Sequence, residues 1–497
     1  MNKPIYHITP EKGWMNDPNG LVEYNGVYHV FYQADPEHLI NENIGWGHKI
    51  SSDLLHWEEC QPALLPDQSY DRDGCFTGSA VIKDDKMYLL YTGHVNQESG
   101  YIETQNLAVS KDGIHFEKYD GNPVIKNPPA DTTMRFRDPK IWEKNGNYYA
   151  VIGGETEDKC GKVVYYRSRD LQEYTYCGVF ADSDGSIGNM WECPNFVQIG
   201  NTDVLIISPK GLEKENGFSA SFESGYMTGK MNYEEGMFSH ASYKKLDHGF
   251  DFYAPQVMEC GDRKILFAWF AIPDSPGKEM EDGWRHLLTI PRELKVASDN
   301  SLLMTPIEEL KKLRTKVLEK TVPGASWNCN IENQPLELLL TGRYEELCFE
   351  IADKNEPLLE LTLKKDNIVL KQKREDGWQI RTCSYYDDIM RKLQIYMDYS
   401  TIEVFINDGR YVFSSRIYPV GSLDFRINAA ADNEDGSLKI YSLKLYPAKD
   451  MMKKVNWYQI HCFILKIAVW IFVLPNQIHI IIITTALELK LRLLLMG

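Results

Sequence analysis

From its start to about residue 300 the chain sets short runs of β-branched and aromatic residues between clusters of turn formers, with little apolar spacing of three and four. Such a pattern predicts strands rather than helices. Five of the runs share one plan: GLVEYNGVYHVFYQ from Gly20, SAVIKDDKMYLLYTG from Ser79, DPKIWEKNGNYYAVIGG from Asp138, PNFVQIGNTDVLIISPKG from Pro194 and PQVMECGDRKILFAWF from Pro255. Each reads as a strand, a tight polar turn and a returning strand, with Asn25-Gly26 and Asn145-Gly146 as hairpin signals. The starts are separated by 59, 59, 56 and 61 residues, somewhat above the usual propeller period of about 40 to 50. The near-constant interval predicts a five-bladed β-propeller of roughly four strands per blade over residues 1–300.

PIEELKKLR, Pro306 to Arg314, interrupts the alternation. Ile307, Leu310 and Leu313 stand at helical spacing among dense charges, so 301–318 is expected to be a linker or short helix. Alternation returns in PLELLL, LCFEIADK, LLELTLKK, KLQIYMDYSTIEVFIND and GSLKIYSLKLY, and a β-sandwich over 319–448 fits it. That domain is expected to pack on the propeller as a structural partner and to help form a homodimer; a carbohydrate-binding module is the alternative. Residues 449–497 are an atypical apolar tail. Trp457 to Leu474 is long enough for a marginal membrane span, but Lys466 near its centre costs roughly 3 kcal/mol on insertion scales, and Pro475, Asn476 and Gln477 break it from Ile478 to Ile483. The tail stands as an extension read from altered coding sequence, a buried or dimer-forming appendage, or a membrane anchor. In each case IHIIIITT is an uncharged, aggregation-prone run.

The net charge of −17 argues against nucleic acid and anionic membrane partners, both of which reward a basic surface. Any phosphate on a substrate must then meet a locally basic pocket. The first residues, MNKPIYHITPEKGW, lack the apolar stretch of a secretory signal, and a cytoplasmic location is expected. Ten scattered cysteines without a CxxC pair indicate neither a zinc site nor a disulfide framework, so they are expected to be reduced and mostly buried. No metal or cofactor is called for. The 29 tyrosines and 11 tryptophans suit stacking on sugar rings as well as ordinary strand packing.

Candidate chemistry lies at the repeat starts, in WMNDPNG (Trp14 to Gly20), RFRDPK (Arg135 to Lys140) and MWECPN (Met190 to Asn195). The innermost strands of a propeller converge on one channel, which would gather these motifs. Aligned on Pro18, Pro139, Pro194 and Pro255, Asp17 and Asp138 coincide and Glu192 falls one residue earlier. Singly, an acid beside proline is an ordinary turn device. Three around one channel suit glycosidic hydrolysis, in which one carboxyl protonates the leaving oxygen and another attacks or stabilises the oxocarbenium-like centre. Clustered carboxylates could instead hold Ca²⁺ or Mg²⁺, but Trp14, Asn16, Arg137 and Trp191 favour sugar. Trp191 and Cys193 are expected to raise the Glu192 pKa, while Asn16 and Asn19 keep Asp17 ionised.

WMNDPNG, FRDP and ECP, in this order and spacing, resemble glycoside hydrolase family 32, which includes invertases, inulinases, levanases and sucrose-6-phosphate hydrolases. The resemblance covers about residues 5 to 447. Tyr32-Gln33, WGH from Trp46, SSDLLHW from Ser51, FTGSA from Phe76 and FDFYAPQ from Phe250 extend it. It implies an all-β fold, the propeller followed by a C-terminal sandwich. It also implies a retaining mechanism with Asp17 as nucleophile, Glu192 as acid and base, and Asp138 as a stabiliser that holds fructose hydroxyls. Asn16, Gln33, Trp46, Phe76, Thr77, Ser79 and Arg137 would line the fructose subsite. Residues Gly211 to Met231 and Gly283 to Leu294 most resemble the bacterial sucrose-6-phosphate hydrolases, so the expected substrate is sucrose-6-phosphate or sucrose. Lys210, Arg285 and His286 could meet the phosphate, though each also suits a bland role. Fructan hydrolysis and a noncatalytic sugar-binding propeller are the alternatives.

Overall fold

The computed structural model describes residues 3–212, 221–275, 277–321, 326–387, 389–430 and 436–447. The apolar tail, with the span from Trp457 and with Cys462, lies outside them. Each of the five predicted hairpins opens its own antiparallel sheet, with leading strands Gly13–Tyr24, Cys75–Lys83, Phe136–Lys144, Met190–Ile199 and Tyr253–Cys260. Asn25-Gly26 and Asn145-Gly146 have φ of 54° and 76°, and 52° and 73°. Left-handed φ at both turn positions matches the twist of paired strands, and Asn and Gly tolerate it best. The ring closes through Trp284–Arg285, which leaves the fifth sheet to pair in parallel with Gly13 and Trp14 of the first.

The leading strands share a local irregularity that aims side chains at the channel. Asp138-Pro139 lies opposite one residue between the pairs Arg137–Gly153 and Lys140–Val151. Cys193-Pro194 and Ala254-Pro255 form the same bulge. Asp138, Cys193 and Ala254 have φ of 67°, 48° and 49°. The proline alignment therefore holds for these three sheets, and Glu192 does precede the Asp138 position by one. It fails for the first sheet. There Asn16-Asp17 form the bulge and Pro18 already pairs with Tyr32, so Asp17 stands where the others have proline. Coincidence of Asp17 with Asp138 is thus corrected: the bulge, not the proline, sets the register.

Leu302–Pro306 pairs with Arg292–Val296 and completes the fifth sheet, beyond the expected limit at residue 300. Glu308–Leu313 is a 3₁₀ turn that buries Leu310 and Leu313. Spacing by three suits this tighter helix, and a strand begins at once at Arg314. Residues 314–443 form two six-stranded antiparallel sheets whose inner faces bury Leu336, Leu338, Leu340, Phe349, Ile351, Leu359, Leu361 and Ile395. The propeller and this sandwich meet over an apolar seam that includes Val257, Leu266, Phe267, Phe405 and Val412. Within the seam Arg292, wholly buried, pairs with Asp247 at 3.0 Å and Glu403 at 2.6 Å, and His7 joins Asp398 at 3.1 Å and Glu403 at 2.9 Å. Among the described residues nine cysteines are free, of which Cys60, Cys75, Cys193, Cys260 and Cys383 are buried.

Candidate active site

The bulges bring Asp17, Asp138 and Glu192 into one cleft of about 500 Å³, which Trp14, Asn16, Gln33, Phe76 and Arg137 also line. Cys193 ties the two aspartates together. Its Sγ lies 3.6 Å from Oδ2 of each, and its backbone N–H donates to Asp138 Oδ2 at 2.9 Å. Asp17 also accepts from Thr77 Oγ1 at 2.6 Å and Asn16 Nδ2 at 3.1 Å. Glu192 is gripped differently, by Arg137 Nη2 at 2.6 Å and Tyr253 Oη at 2.6 Å. Arg137 bridges onward to Glu103 Oε2 at 3.0 Å, which fixes the fork between two carboxylates.

These surroundings invert the expected proton affinities. Burial, reinforced by the Glu192 charge and opposed by the Thr77, Asn16 and Cys193 hydrogen bonds, raises Asp17 to about 6. Burial raises Asp138 to about 8 against the pull of Arg137, with Glu192 and Asp17 adding to the rise. Partial burial pushes Glu192 up too, but Arg137, Lys210 and the Tyr253 hydroxyl outweigh that and leave it below its ordinary value. The expectation of a raised Glu192 is therefore corrected. Trp191 is buried, and its Nε1 donates to the Ile187 carbonyl at 2.7 Å. Three anions in so small a buried space favour a shared proton, which the two aspartates hold more tightly.

Three expected binding residues do not line the cleft. Trp46 is fully buried and donates to the Phe76 carbonyl at 3.0 Å, Ser79 donates to the Pro139 carbonyl at 2.8 Å, and Thr77 sits beneath Asp17. They hold the residues that do face it. His286 is buried behind Trp14, its ring centroid 4.6 Å away, whereas Lys210 and Arg285 line the cleft.

Sequence reasoning missed Tyr253, Glu103, His94, Tyr101, Arg135, Phe222 and Trp269. Tyr253 was within reach, because Arg137, Glu192 and Tyr253 each directly precede the bulge of their own strand. Glu103 sits in an ordinary-looking strand, Tyr101–Ser110, and carried no signal.

Residues 7–306 match the glycosyl hydrolases family 32 N-terminal domain, and residues 370–447 match the family 32 C-terminal domain. The chain is 37% identical over 429 residues to the sucrose-6-phosphate hydrolase of Bacillus subtilis, covering 83% of this chain and 88% of that one. Its fold is similar to that of a Bombyx mori GH32 β-fructofuranosidase mutant in complex with sucrose, with TM-score 0.80, 33% identity and coverage of 90% and 95%. It is also similar to sucrose-6-phosphate hydrolase from Lactobacillus gasseri, with TM-score 0.80, 28% identity and coverage of 89% and 93%.

Proposed function

The chain belongs to glycosyl hydrolases family 32 and is a β-fructofuranosidase, and from that premise we propose that Asp17 is its nucleophile, Glu192 its acid and base, and Asp138 the group that holds the fructosyl ring. The observation that supports this division is the pairing of Asp17 with Asp138 across Cys193, with Glu192 set apart in the Arg137 and Tyr253 grip. Glu192 protonates the oxygen between the sugars while Asp17 attacks the fructosyl anomeric carbon. The covalent intermediate is then hydrolysed by a water that Glu192 deprotonates, and the configuration is retained.

Protonation of Glu192 depends on the substrate. Fructosyl hydroxyls that donate to Asp138 and Asp17 favour the ionised aspartates, and the two fixed negative charges then raise Glu192. Binding therefore moves the shared proton to the group that must give it up. Asn16, Gln33 and Phe76 complete the fructosyl wall, with Trp14 above them.

The preferred substrate is the phosphorylated disaccharide. Lys210 and Arg285 put positive charge on a cleft in a chain of net charge −17. A sugar phosphate does not cross a bilayer unaided, which fits a cytoplasmic enzyme. Among the described residues no helix is long and apolar enough to cross a membrane.

The test is kcat/KM on sucrose-6-phosphate and sucrose side by side, with Glu192→Gln and Asp17→Asn, each expected to lower kcat by about 10²- to 10⁴-fold. β-Fructosyl fluoride, whose leaving group needs no proton, should still be turned over by Glu192→Gln and not by Asp17→Asn. The opposite pattern would reverse the two roles.

A further inference from the structure

Among the described residues four cationic side chains line the cleft: Arg135, Arg137, Lys210 and Arg285. Three are matched to carboxylates. Arg135 Nη1 lies 3.1 Å from Glu155, Arg137 joins Glu103 and Glu192, and Lys210 Nζ lies 3.9 Å from Glu192 Oε1. Arg285 differs. Among the described residues it forms no ion pair, its Nη1 reaches the Leu39 carbonyl at only 3.4 Å, and its buried Nε has no hydrogen-bond partner. The guanidinium lies 4.9 Å over the Trp14 ring, which holds its plane and leaves its donors uncommitted. Burial lowers its pKa, and the pull of the Glu279 carboxylate offsets that only in part.

The position of Arg285 is built from two sides. Its strand pairs with Gly13 and Trp14 at the cleft wall. The next residue, His286, is held at φ of 69° and donates its N–H to Glu279 Oε1 at 3.0 Å. Glu279 in turn accepts from Arg416 Nη1 and Tyr418 Oη of the sandwich, each at 3.0 Å. The sandwich thereby fixes the segment that presents Arg285. A backbone kept in the left-handed region by such contacts marks a place whose geometry is over-determined.

We propose that Arg285 recognises the phosphoryl group of the substrate, its Nη donors meeting phosphoryl oxygens of the hexose phosphate that leaves, while Lys210 serves Glu192. This rests on the preference for a phosphorylated disaccharide proposed above. A planar fork with uncommitted donors is suited to bidentate phosphate binding, and Lys210, a point charge beside the acid, is suited to setting that group's proton affinity.

The experiment compares kcat/KM for sucrose-6-phosphate with that for sucrose in wild type, Arg285→Gln, Arg285→Lys and Lys210→Met, with circular dichroism melts to establish folding. Arg285→Gln is expected to lower the ratio at least about tenfold, mostly through KM for the phosphorylated sugar. Arg285→Lys should recover part of it, and Lys210→Met should change the pH profile more than the ratio. If wild type prefers the phosphorylated sugar and Arg285→Gln keeps that preference, the assignment to Arg285 is wrong and the substrate proposal stands. A loss of preference in Lys210→Met but not in Arg285→Gln would also overturn it. A wild type with equal rates on both sugars removes the substrate proposal and this inference together.

Discussion

Asp138 owes its proton affinity to burial among other anions, and that has a thermodynamic consequence. An aspartate ionises near 3.9 in an unfolded chain, whereas folded Asp138 is raised to about 8. A raised carboxyl costs nothing below the unfolded value, grows unfavourable as pH rises from there to the folded value, where the folded state still holds a proton that the unfolded chain has released, and costs its full amount above it. Asp138→Asn removes that ionisation. The variant should be more stable than wild type at about pH 8, by on the order of a few kcal/mol, with the gain shrinking toward pH 5. Calorimetric melts at the two pH values measure this, and an equal gain at both would exclude ionisation as its cause. The identity of the three carboxylates was legible in the sequence, but their order of proton affinity was not. Arg137 and Tyr253 decide the state of Glu192, and both come from strands remote in sequence.

At the scale of elements, hairpins and turns were legible because alternation and Asn-Gly pairs act over a few residues. The bulges were not. Asp138, Cys193 and Ala254 take left-handed φ, which their side chains do not favour, and the close approach of neighbouring strands sustains it. Gly153, which pairs with Arg137 beside the third-sheet bulge, shows how close. A Cβ there would stand 2.1 Å from the Trp191 carbonyl oxygen, a backbone atom one residue before Glu192. Gly153→Ala is expected to cost roughly 1–3 kcal/mol and, by shifting the Glu192 strand, to lower kcat more than it raises KM. Urea unfolding with steady-state kinetics tests it; wild-type values for both would mean that the strands separate freely. The helical spacing of Ile307, Leu310 and Leu313 was read as a linker or short helix, and the segment is a 3₁₀ turn directly followed by the strand that begins at Arg314.

Across the whole molecule, the seam between propeller and sandwich joins apolar packing to a buried charge network. Arg292 lies between Asp247, Glu403 and the rings of Phe252 and Phe405. Arg292→Met keeps the bulk and leaves two buried carboxylates without their cation, so it should cost about 3–5 kcal/mol. A lowered urea midpoint is the expected readout, and an unchanged one would show that the seam rests on apolar contacts alone. Through Glu279 and Arg416 this seam continues to the cleft wall, which gives the sandwich a part in the site that its own sequence did not announce.

The sequence by itself determined the strand pattern, the repeat, the sandwich and the three acids, because each depends on spacing along the chain or on a short motif. Tertiary structure alone decided that Asp17 reaches the cleft by a different register from Asp138, that Trp46, Thr77 and Ser79 stand behind the cleft surface, and that Arg285 makes no ion pair among the described residues and keeps its Nε without a hydrogen-bond partner. These depend on which side chains meet across sheets and at what depth. Desolvation and Coulomb interactions vary steeply over a few ångströms, and one-dimensional spacing does not carry distances of that kind.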